Sequence, residues 1–240
     1  VTPTDVSVTK AKLADEVDVF AGTSLSAADL GAGVHIKTGD SGASVDASAD
    51  ELVIEGSGNA GMTIASGASN NGIIYFADSG STYDGYINYS QNTREMTLAT
   101  AQTAALKIDA DGHVTKPKQS AFLAQVATNQ SNVANNDTIV FGSERFDQNA
   151  DFASNVFTAP VTGRYHLSAN VRLENIDSSG TWFAIQIQTS NRNYDNLVSA
   201  STLDTDSGYY HFTITAIADM DASDTANILF NKSGGSDTGD

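Results

Sequence analysis

From Asp46 onward, the sequence consists of short runs in which apolar and polar residues alternate, separated by clusters of Gly, Ser, Asn and Asp. The first of these runs are "ELVIEG", "GMTIAS", "GIIYFAD", "GYINYS", "EMTLAT" and "ALKIDADG". A period of two places alternate side chains on opposite faces of an extended strand. Turn residues recur about every ten residues, which leaves no room for a helix between consecutive strands. The pattern therefore predicts an all-β chain.

Residues 46–116 form the part with the shortest runs, and we predict a repetitive short-strand shaft domain there. Strands of this length in a segment of about 70 residues leave little core for one chain, since even a 60-residue domain buries only about 60% of its surface. We therefore expect the apolar surface of the shaft to be shared among several copies of the chain.

The runs lengthen after "VTKPKQ", so we place a domain boundary at residues 116 and 117. The later runs are "SAFLAQV", "TIVFGS", "NVFTAP", "GRYHLSANVRL", "TWFAIQIQTS", "YYHFTITAIADM" and "ANILFN". Alternation is clear from Tyr165 to Leu173, where every second residue is apolar. Residues 117–240 are predicted to form an antiparallel β-sandwich head with a core of its own.

Residues 1–45 are predicted to be an N-terminal connector or anchor module. Leu13, Val17 and Phe20 have helical spacing, whereas "VDVFAG" and "GVHIKTG" alternate as strands do, and the sequence leaves both alternatives open. The chain begins at Val1 without a methionine or a signal-like segment, so we expect a fragment or a processed product.

The net charge of −17 excludes one class of partner. Nucleic-acid binding depends on clustered cations, and this chain has 12 Lys and Arg against 29 Asp and Glu, so we expect no nucleic-acid partner. Cysteine is absent, which excludes disulfides and thiolate metal sites. No apolar run approaches the roughly 20 residues of a membrane helix, so we also expect no membrane insertion.

The stretches "SAFLAQ", "IVFGSERFDQNADF" and "NVFTAPVTGRYHLSANV", followed by "DASDTANILF", resemble the globular head of the complement first component's q subunit, a jelly roll of the tumour-necrosis-factor type. The matching residues are Phe122, Ile139, Phe141, Phe157, Pro160, Gly163 and Tyr165. This resemblance implies a threefold assembly with variable recognition loops at its far end. It also implies a last strand after "NKSGGSDTGD", so either the sequence is truncated or this head is shortened.

Residues 50–114 independently resemble repeats of bacteriophage tail-fibre and related virion appendage proteins, through "LVIEGSGNAGMTI", "GIIYFAD", "GYINY" and "LKIDADGHV". The two resemblances together imply a trimeric β-rich shaft that carries a jelly-roll head. They imply a homotrimeric structural protein of the virion, located on the tail or the capsid surface, that attaches to the host cell. Other virion proteins would contact the N-terminal part, and a host surface glycan or protein would contact the head.

Two alternative functions remain open at this point. One is a trimeric adhesin on the surface of a bacterium or secreted from it, and the other is a capsid decoration fibre without a receptor role. We predict no enzyme activity, because no G-x-S-x-G elbow, H-E-x-x-H helix or phosphate-binding glycine loop occurs. The four histidines are isolated and none has metal-ligand spacing.

We predict no cofactor and no metal site. The "DADG" sequence from Asp109 to Gly112 could begin a calcium loop, but the glutamate that such a loop requires is missing, and a hairpin turn is the preferred interpretation. Calcium also remains an alternative at "LDTDSG", because calcium sits on loops of some complement-type heads, but a solvated turn is the preferred interpretation there.

Receptor-binding residues are predicted in two loops of the head. Amide, guanidinium and aromatic groups suit saccharide or protein surfaces, and acidic turn residues add polar contacts. The candidates are Asn191, Arg192, Asn193, Tyr194, Asp204 and Asp206. Trp182 is instead expected to fill the core of the sandwich.

Overall fold

The structure is a computed structural model that describes residues 34–235. It divides into two compact units, with the boundary between Ile73 and Ile74. This boundary falls inside the segment 46–116, and the three-part division into connector, shaft and head stays a prediction. The possible helix with Leu13, Val17 and Phe20 and the possible strand "VDVFAG" lie outside the described residues.

The first unit contains a parallel pair of strands, β1 (Val34–Lys37) and β2 (Leu52–Glu55). Strand β1 confirms the interpretation of the alternating run "GVHIKTG" as a strand. The expected strand at "GMTIAS" is wrong, because residues 61–66 form no backbone ladder with another strand, although Ile64 lies close to Gly72. Met62 and Ile64 consequently stay exposed.

A five-stranded sheet follows, with its strands in sequence order. These strands are β3 (Asn71–Phe76), β4 (Gly85–Ser90), β5 (Glu95–Thr100), β6 (Thr103–Ile108) and β7 (Val114–Thr115). Strands β4 to β7 pair antiparallel. The β5–β6 loop places Ala101 and Gln102 at φ of 46° and 60°, as a tight two-residue hairpin of the primed type requires.

The predicted hairpin turn at "DADG" is confirmed and joins β6 to β7. The Asp109 N–H donates to the His113 carbonyl at 3.1 Å, and the Gly112 N–H donates to the Asp109 carbonyl at 3.1 Å. Gly112 has a φ of 88°, which lies in the left-handed region that favours glycine.

Ten strands and one short 3₁₀ turn build the head. They are β8 (Phe122–Gln125), β9 (Asp137–Thr138), β10 (Ser143–Asp147), β11 (Phe152–Ala153), β12 (Val156–Thr158), β13 (Gly163–Ile176), β14 (Trp182–Thr189), β15 (Asn193–Ser199), the 3₁₀ turn Ala200–Thr202, β16 (Ser207–Met220) and β17 (Thr225–Ser233). The described residues contain no α-helix.

The head is an antiparallel β-sandwich, and the predicted all-β fold with a jelly-roll sandwich head is confirmed. One layer has the strand order β11-β12-β17-β14-β15, with β9 also bonded to β17. The other layer contains the ribbon β13–β16 and the ribbon β8–β10. Every strand pair of the head is antiparallel.

The alternation predicted from Tyr165 to Leu173 fixes the inner face of β13. Leu167, Ala169, Val171 and Leu173 are buried, whereas the residues between them are exposed. Strand β16 alternates in the same way, and β14 supplies the opposite side of the core with Phe183, Ile185 and Ile187. The core therefore lies between the two layers of the head.

The expected strand at "TIVFGS" is largely wrong, because residues 139–142 leave the ladder after β9. Ile139 is buried and its N–H donates to the Ile228 carbonyl. The Phe141 N–H instead donates to the Asn155 side-chain oxygen at 2.7 Å. A side chain thus takes the place of a strand neighbour, which the local sequence could not indicate.

The "APVTGRY" turn is held by an aromatic cluster and a tyrosine hydrogen bond. Phe122 stacks on Phe152 and Phe157 with ring centroids 4.7 and 5.3 Å apart, and Phe157 packs against Tyr165 at 5.2 Å. The Tyr165 hydroxyl donates to the Val161 carbonyl at 2.6 Å. This arrangement explains why a turn with proline and glycine stands directly before the long strand β13.

Candidate functional site

The two ends of the head differ in their relation to the preceding chain. The Gln148 amide donates to the carbonyls of Lys116 and Gln119 at 2.9 and 2.7 Å, and the Ser120 hydroxyl donates to Asp151 at 2.6 Å. We call this the proximal end, because the chain enters the head here. The distal end is the opposite one, with the β13–β14 loop and residues 200–206.

Two of the predicted receptor-binding residues lie at the proximal end, in the hairpin between β14 and β15. The Ser190 N–H donates to the Thr225 carbonyl, and Thr225 pairs with Thr158, which lies beside Asp151. The hairpin is therefore at the same end of the head as Asp151. Asn191 donates to the Asp219 carbonyl and to Asp224, both at 2.9 Å. Arg192 forms an ion pair with Asp219 at 2.8 Å. These polar groups join turns of the head to one another.

Asn193 and Tyr194 do not lie in a loop, and this part of the prediction is wrong. They are the first two residues of β15, in register with Gln188 and Ile187 of β14. Tyr194 is half-buried and packs against the core cluster. The polar run "NRNYDN" gave no apolar alternation, because an edge strand with one solvated face can be largely polar.

Asp204 and Asp206 lie at the distal end, in the loop before β16. Asp206 accepts hydrogen bonds from the Ser178 N–H at 2.9 Å and from the Ser178 hydroxyl at 2.8 Å, which ties the β13–β14 loop to residues 200–206. Strand β14 spans the head between the two ends, and eight residues extend about 26 Å. One chain therefore does not bring the six predicted residues into one site.

Trp182 is half-buried and is not part of the core cluster, so the expectation that it fills the core is wrong. It begins β14 at the distal end, opposite Ser199 and Ser233, on the outer face. The core position is taken by the next residue, Phe183, because the strand alternates with period two. The distal end thus combines an indole with the polar loops around Asp206, a composition that suits recognition of a saccharide or protein.

The five-stranded sheet carries a second surface that the sequence did not single out. Cross-strand pairing places Ile87 opposite Leu98, and Leu98 opposite Leu106. Tyr75 contacts Tyr83 and Tyr86 on the other side of the sheet. We define the apolar shaft face by the side chains that lie opposite these tyrosines: Ile74, Phe76, Ile87, Tyr89, Met96, Leu98, Leu106, Ile108 and Val114.

The side chains of the apolar shaft face are only partly covered by the rest of the described chain. Phe76 is 59% exposed and Leu98 is 39% exposed, although both are large and apolar. Between residues 46 and 116, only Thr97 and Ala99 are buried, and both belong to the tyrosine side of the sheet. A contiguous apolar face that is exposed in one chain is a candidate interaction surface. The alternation within each strand was visible in the sequence, but which face would stay uncovered was not.

The β6–β7 turn brings Asp109, Asp111 and His113 together, with ligand atoms within 4.8 Å of one another. Asp109 already accepts the N–H groups of Asp111 and His113 at 3.0 and 2.9 Å, and its second oxygen contacts the His113 ring at 2.9 Å. The His113 ring and N–H lower the pKa of the Asp109 carboxyl. The Asp109 carboxylate therefore stabilises the β6–β7 turn.

The first unit contains a network around Glu55 at the end of β2. Its carboxylate accepts the Ser41 N–H at 2.7 Å and the Ser41 hydroxyl at 3.0 Å. The buried His35 ring lies 2.9 Å away and the Lys37 ammonium 3.3 Å away. The Ser41 backbone hydrogen bond, together with the Ser41 hydroxyl and Lys37, lowers the pKa of Glu55 to about 2. This network joins the β1–β2 connection to the strand pair.

The chain has a structural likeness among proteins of known structure, whereas no family model or curated protein resembles it. Among solved structures, the globular domain of zebrafish complement 1qA protein matches with 16% sequence identity and a TM-score of 0.38, over 48% of this chain and 89% of that domain. At this identity the likeness concerns the fold alone, and the description of the head as a sandwich stands on its strand pairings. In the described residues, no helix is long and apolar enough to cross a membrane.

Proposed function

We propose that this chain is a homotrimeric structural protein of a bacteriophage virion, a fibre or spike that attaches the particle to the surface of its host. The main observation in support of this proposal is the exposed apolar shaft face, in a chain whose head has a closed core of its own. The resemblance of residues 50–114 to virion appendage repeats supports the location on the virion.

The apolar shaft face supports assembly on energetic grounds. Complete burial of a large apolar side chain contributes about 1.5–3 kcal/mol, so covering the exposed part of one contributes about 1 kcal/mol. The face of one chain then contributes on the order of 10 kcal/mol. Association costs an estimated 4–15 kcal/mol in lost translational and rotational freedom, so the burial of this face is of the same order as that cost. Three copies that turn this face inward would bury it around a closed threefold axis.

Attachment is assigned to the distal end of the head. The proximal end receives the chain from the shaft, so three parallel copies would present their distal loops together. Weak contacts of Trp182 and the loops around Asp206 would then act simultaneously, which raises avidity provided that the receptor sites match their spacing. In this proposal Asn191 and Arg192 hold turns at the proximal end and do not contact a receptor.

The mass of the protein in solution tests the assembly. Sedimentation at micromolar concentration is expected to show a particle of three 25.0-kDa chains. A single-chain mass would refute the trimer, and a two-chain mass would refute the threefold axis while leaving the apolar shaft face as an interface.

Location and attachment require a separate experiment. Gold-labelled antibody against the head should decorate intact particles, and soluble protein should compete with those particles for host cells. Labelling of bacterial cells without particles would favour the adhesin instead. Decoration of the capsid without competition would favour a capsid fibre that has no receptor role. Loss of host polysaccharide on incubation with purified protein would contradict the assignment as a protein without enzyme activity.

A further inference from the structure

The outer side of strands β17, β14 and β15 forms a polar surface along the side of the head. Strand register places its side chains in four rows that run across the three strands. From the distal to the proximal end, the rows are Ser233–Trp182–Ser199, Asn231–Ala184–Leu197, Leu229–Gln186–Asp195 and Asn227–Gln188–Asn193. We call this surface the amide face. It is about 20 Å long, since successive rows along a strand lie about 6.6 Å apart.

Strand alternation assigns these residues to the outer side, because Phe183, Ile185 and Ile187 between them belong to the core cluster. Two small or branched residues, Ala184 and Leu229, are buried on the outer side. The accessible part of the amide face therefore comes from the longer side chains around these two. Trp182 is half-buried and Leu197 is 54% exposed, so the distal half of the face offers apolar contacts.

Four amide side chains of this face make no hydrogen bond to another described residue. They are Gln188, Asn193, Asn227 and Asn231. Many other amides of the head hold the fold together. Asn196, on the inner side of β15, donates to the Thr213 carbonyl at 2.9 Å. Each side-chain amide has two N–H donors and a carbonyl acceptor, so the proximal row presents three such groups side by side to a ligand.

The unused amides are also partly ordered before any ligand binds. Gln188, Asn227 and Asn231 are half-buried in strands, and only Asn193 is exposed. Neighbouring side chains restrict the rotamers of a half-buried side chain. Less conformational entropy is then lost when a ligand fixes such an amide.

The charge of the amide face indicates a neutral ligand. Asp195 is its one charged residue, and its carboxylate accepts a hydrogen bond from the Gln186 amide at 2.5 Å. No lysine or arginine lies in the four rows. In a chain of net charge −17, an anionic ligand would be repelled and would find no cation on this face to pair with.

From these observations we propose that the amide face binds a neutral, extended oligosaccharide of the host surface, which lies along β14. Sugar hydroxyls both donate and accept hydrogen bonds, as the amides do. The C–H face of a sugar ring packs on the Trp182 indole. This inference rests on the proposed attachment function, names the class of receptor, and extends the contact from the distal loops along the side of the head.

The test uses the full chain and a panel of soluble hexasaccharides. The neutral members contain glucose, galactose, mannose or N-acetylglucosamine, and the anionic members contain uronic or sialic acid. Trp182 is the only tryptophan of the chain, so its fluorescence reports on the distal row. NMR signals of the side-chain amides report on the proximal row. We expect saturable binding of a neutral hexasaccharide with changes in both rows, and no binding of the anionic members.

Gln188→Leu is the sharpest variant, because it nearly keeps the side-chain volume and removes both hydrogen-bonding groups. It should weaken binding about tenfold, the effect of losing one or two net hydrogen bonds. The matched control is Asn170→Ala, which removes an exposed amide from β13 in the other layer and should leave the affinity unchanged. If Gln188→Leu does not fold, Asn193→Ala on the edge strand β15 should show the same loss.

Several results would overturn the inference. One is equal affinity of the unmodified protein and the folded Gln188→Leu or Asn193→Ala variant. Another is tighter binding of an anionic hexasaccharide. A change at Trp182 without changes in the proximal row would confine the contact to the distal loops.

Competition with particles for host cells separates this inference from the proposed function. If no neutral hexasaccharide binds at millimolar concentration while the soluble protein still displaces particles, the amide face is refuted as a glycan site and attachment stands. If a neutral hexasaccharide binds across both rows and the protein displaces no particles, the glycan site stands and attachment is refuted.

Discussion

Replacement of Leu98 by aspartate is the sharpest test of the apolar shaft face. Leu98 lies between Ile87 and Leu106 in the middle of that face. In a single chain the side chain is 39% exposed, so Leu98→Asp should cost a monomer little. In an assembly the new carboxylate would be surrounded by apolar side chains and would have no cation beside it.

The expected magnitude follows from the number of copies. An uncompensated charge in a buried site costs about 3–5 kcal/mol. Because the substitution enters a trimer three times, the total at the lower bound is about 9 kcal/mol. Each 1.4 kcal/mol changes an equilibrium constant about tenfold, so the dissociation constant of the trimer should rise by about six orders of magnitude.

The matched control is Asn92→Asp, which adds the same charge to the exposed β4–β5 turn. Sedimentation of the three proteins over a range of concentrations should show a trimer for the unmodified chain and for Asn92→Asp, and a monomer for Leu98→Asp. A Leu98→Asp protein that remains trimeric at nanomolar concentration would refute the reasoning. Dissociation of both variants would point to general charge repulsion in this acidic chain.

Three further outcomes are expected. Because the folded-state pKa of Glu55 is about 2, below its usual 4.5, its stabilisation is present above pH 4.5 and lost as pH falls towards 2. Protection of the Ser41 amide against exchange should follow that loss, and Glu55→Gln should abolish the pH dependence. Asp206→Ala should speed amide hydrogen exchange in the distal loops and weaken host adhesion, while the melting temperature stays nearly constant. Asp204→Ala should change neither exchange nor adhesion, because the structure shows no hydrogen bond from Asp204 to the β13–β14 loop among the described residues. Phe157→Ala should lower the free energy of unfolding of the head by about 3–5 kcal/mol in denaturant, because this side chain is 2% exposed within the aromatic cluster.

The strands of the head were the most predictable part of the protein. Long alternating runs such as Tyr165 to Leu173 determine both the strand and its buried face, because only one face can turn towards the core. Shorter runs were less reliable. Residues 61–66 alternate as well as a strand does, but they form no ladder with another strand, and the alternation alone does not supply one.

The candidate site was less predictable than the fold. The sequence indicated polar and aromatic loop residues of a suitable chemistry, but it could not indicate that Arg192 and Asp206 would lie at opposite ends of β14. That separation depends on strand order and register, which are set by pairings between residues far apart in the chain. The distal position of Trp182 was missed for a related reason, since a shift of one residue along a strand moves a side chain from the core to the surface.

The sequence by itself determined an all-β chain, a segment of short strands that buries few of its own apolar residues, and a sandwich head with a regular core. These properties follow from composition and from a period of two, which are local. Only the tertiary structure decided which sheet face stays exposed and which end of the head receives the chain. Those properties depend on contacts between strands that are far apart in the sequence, and no local sequence pattern specifies such contacts.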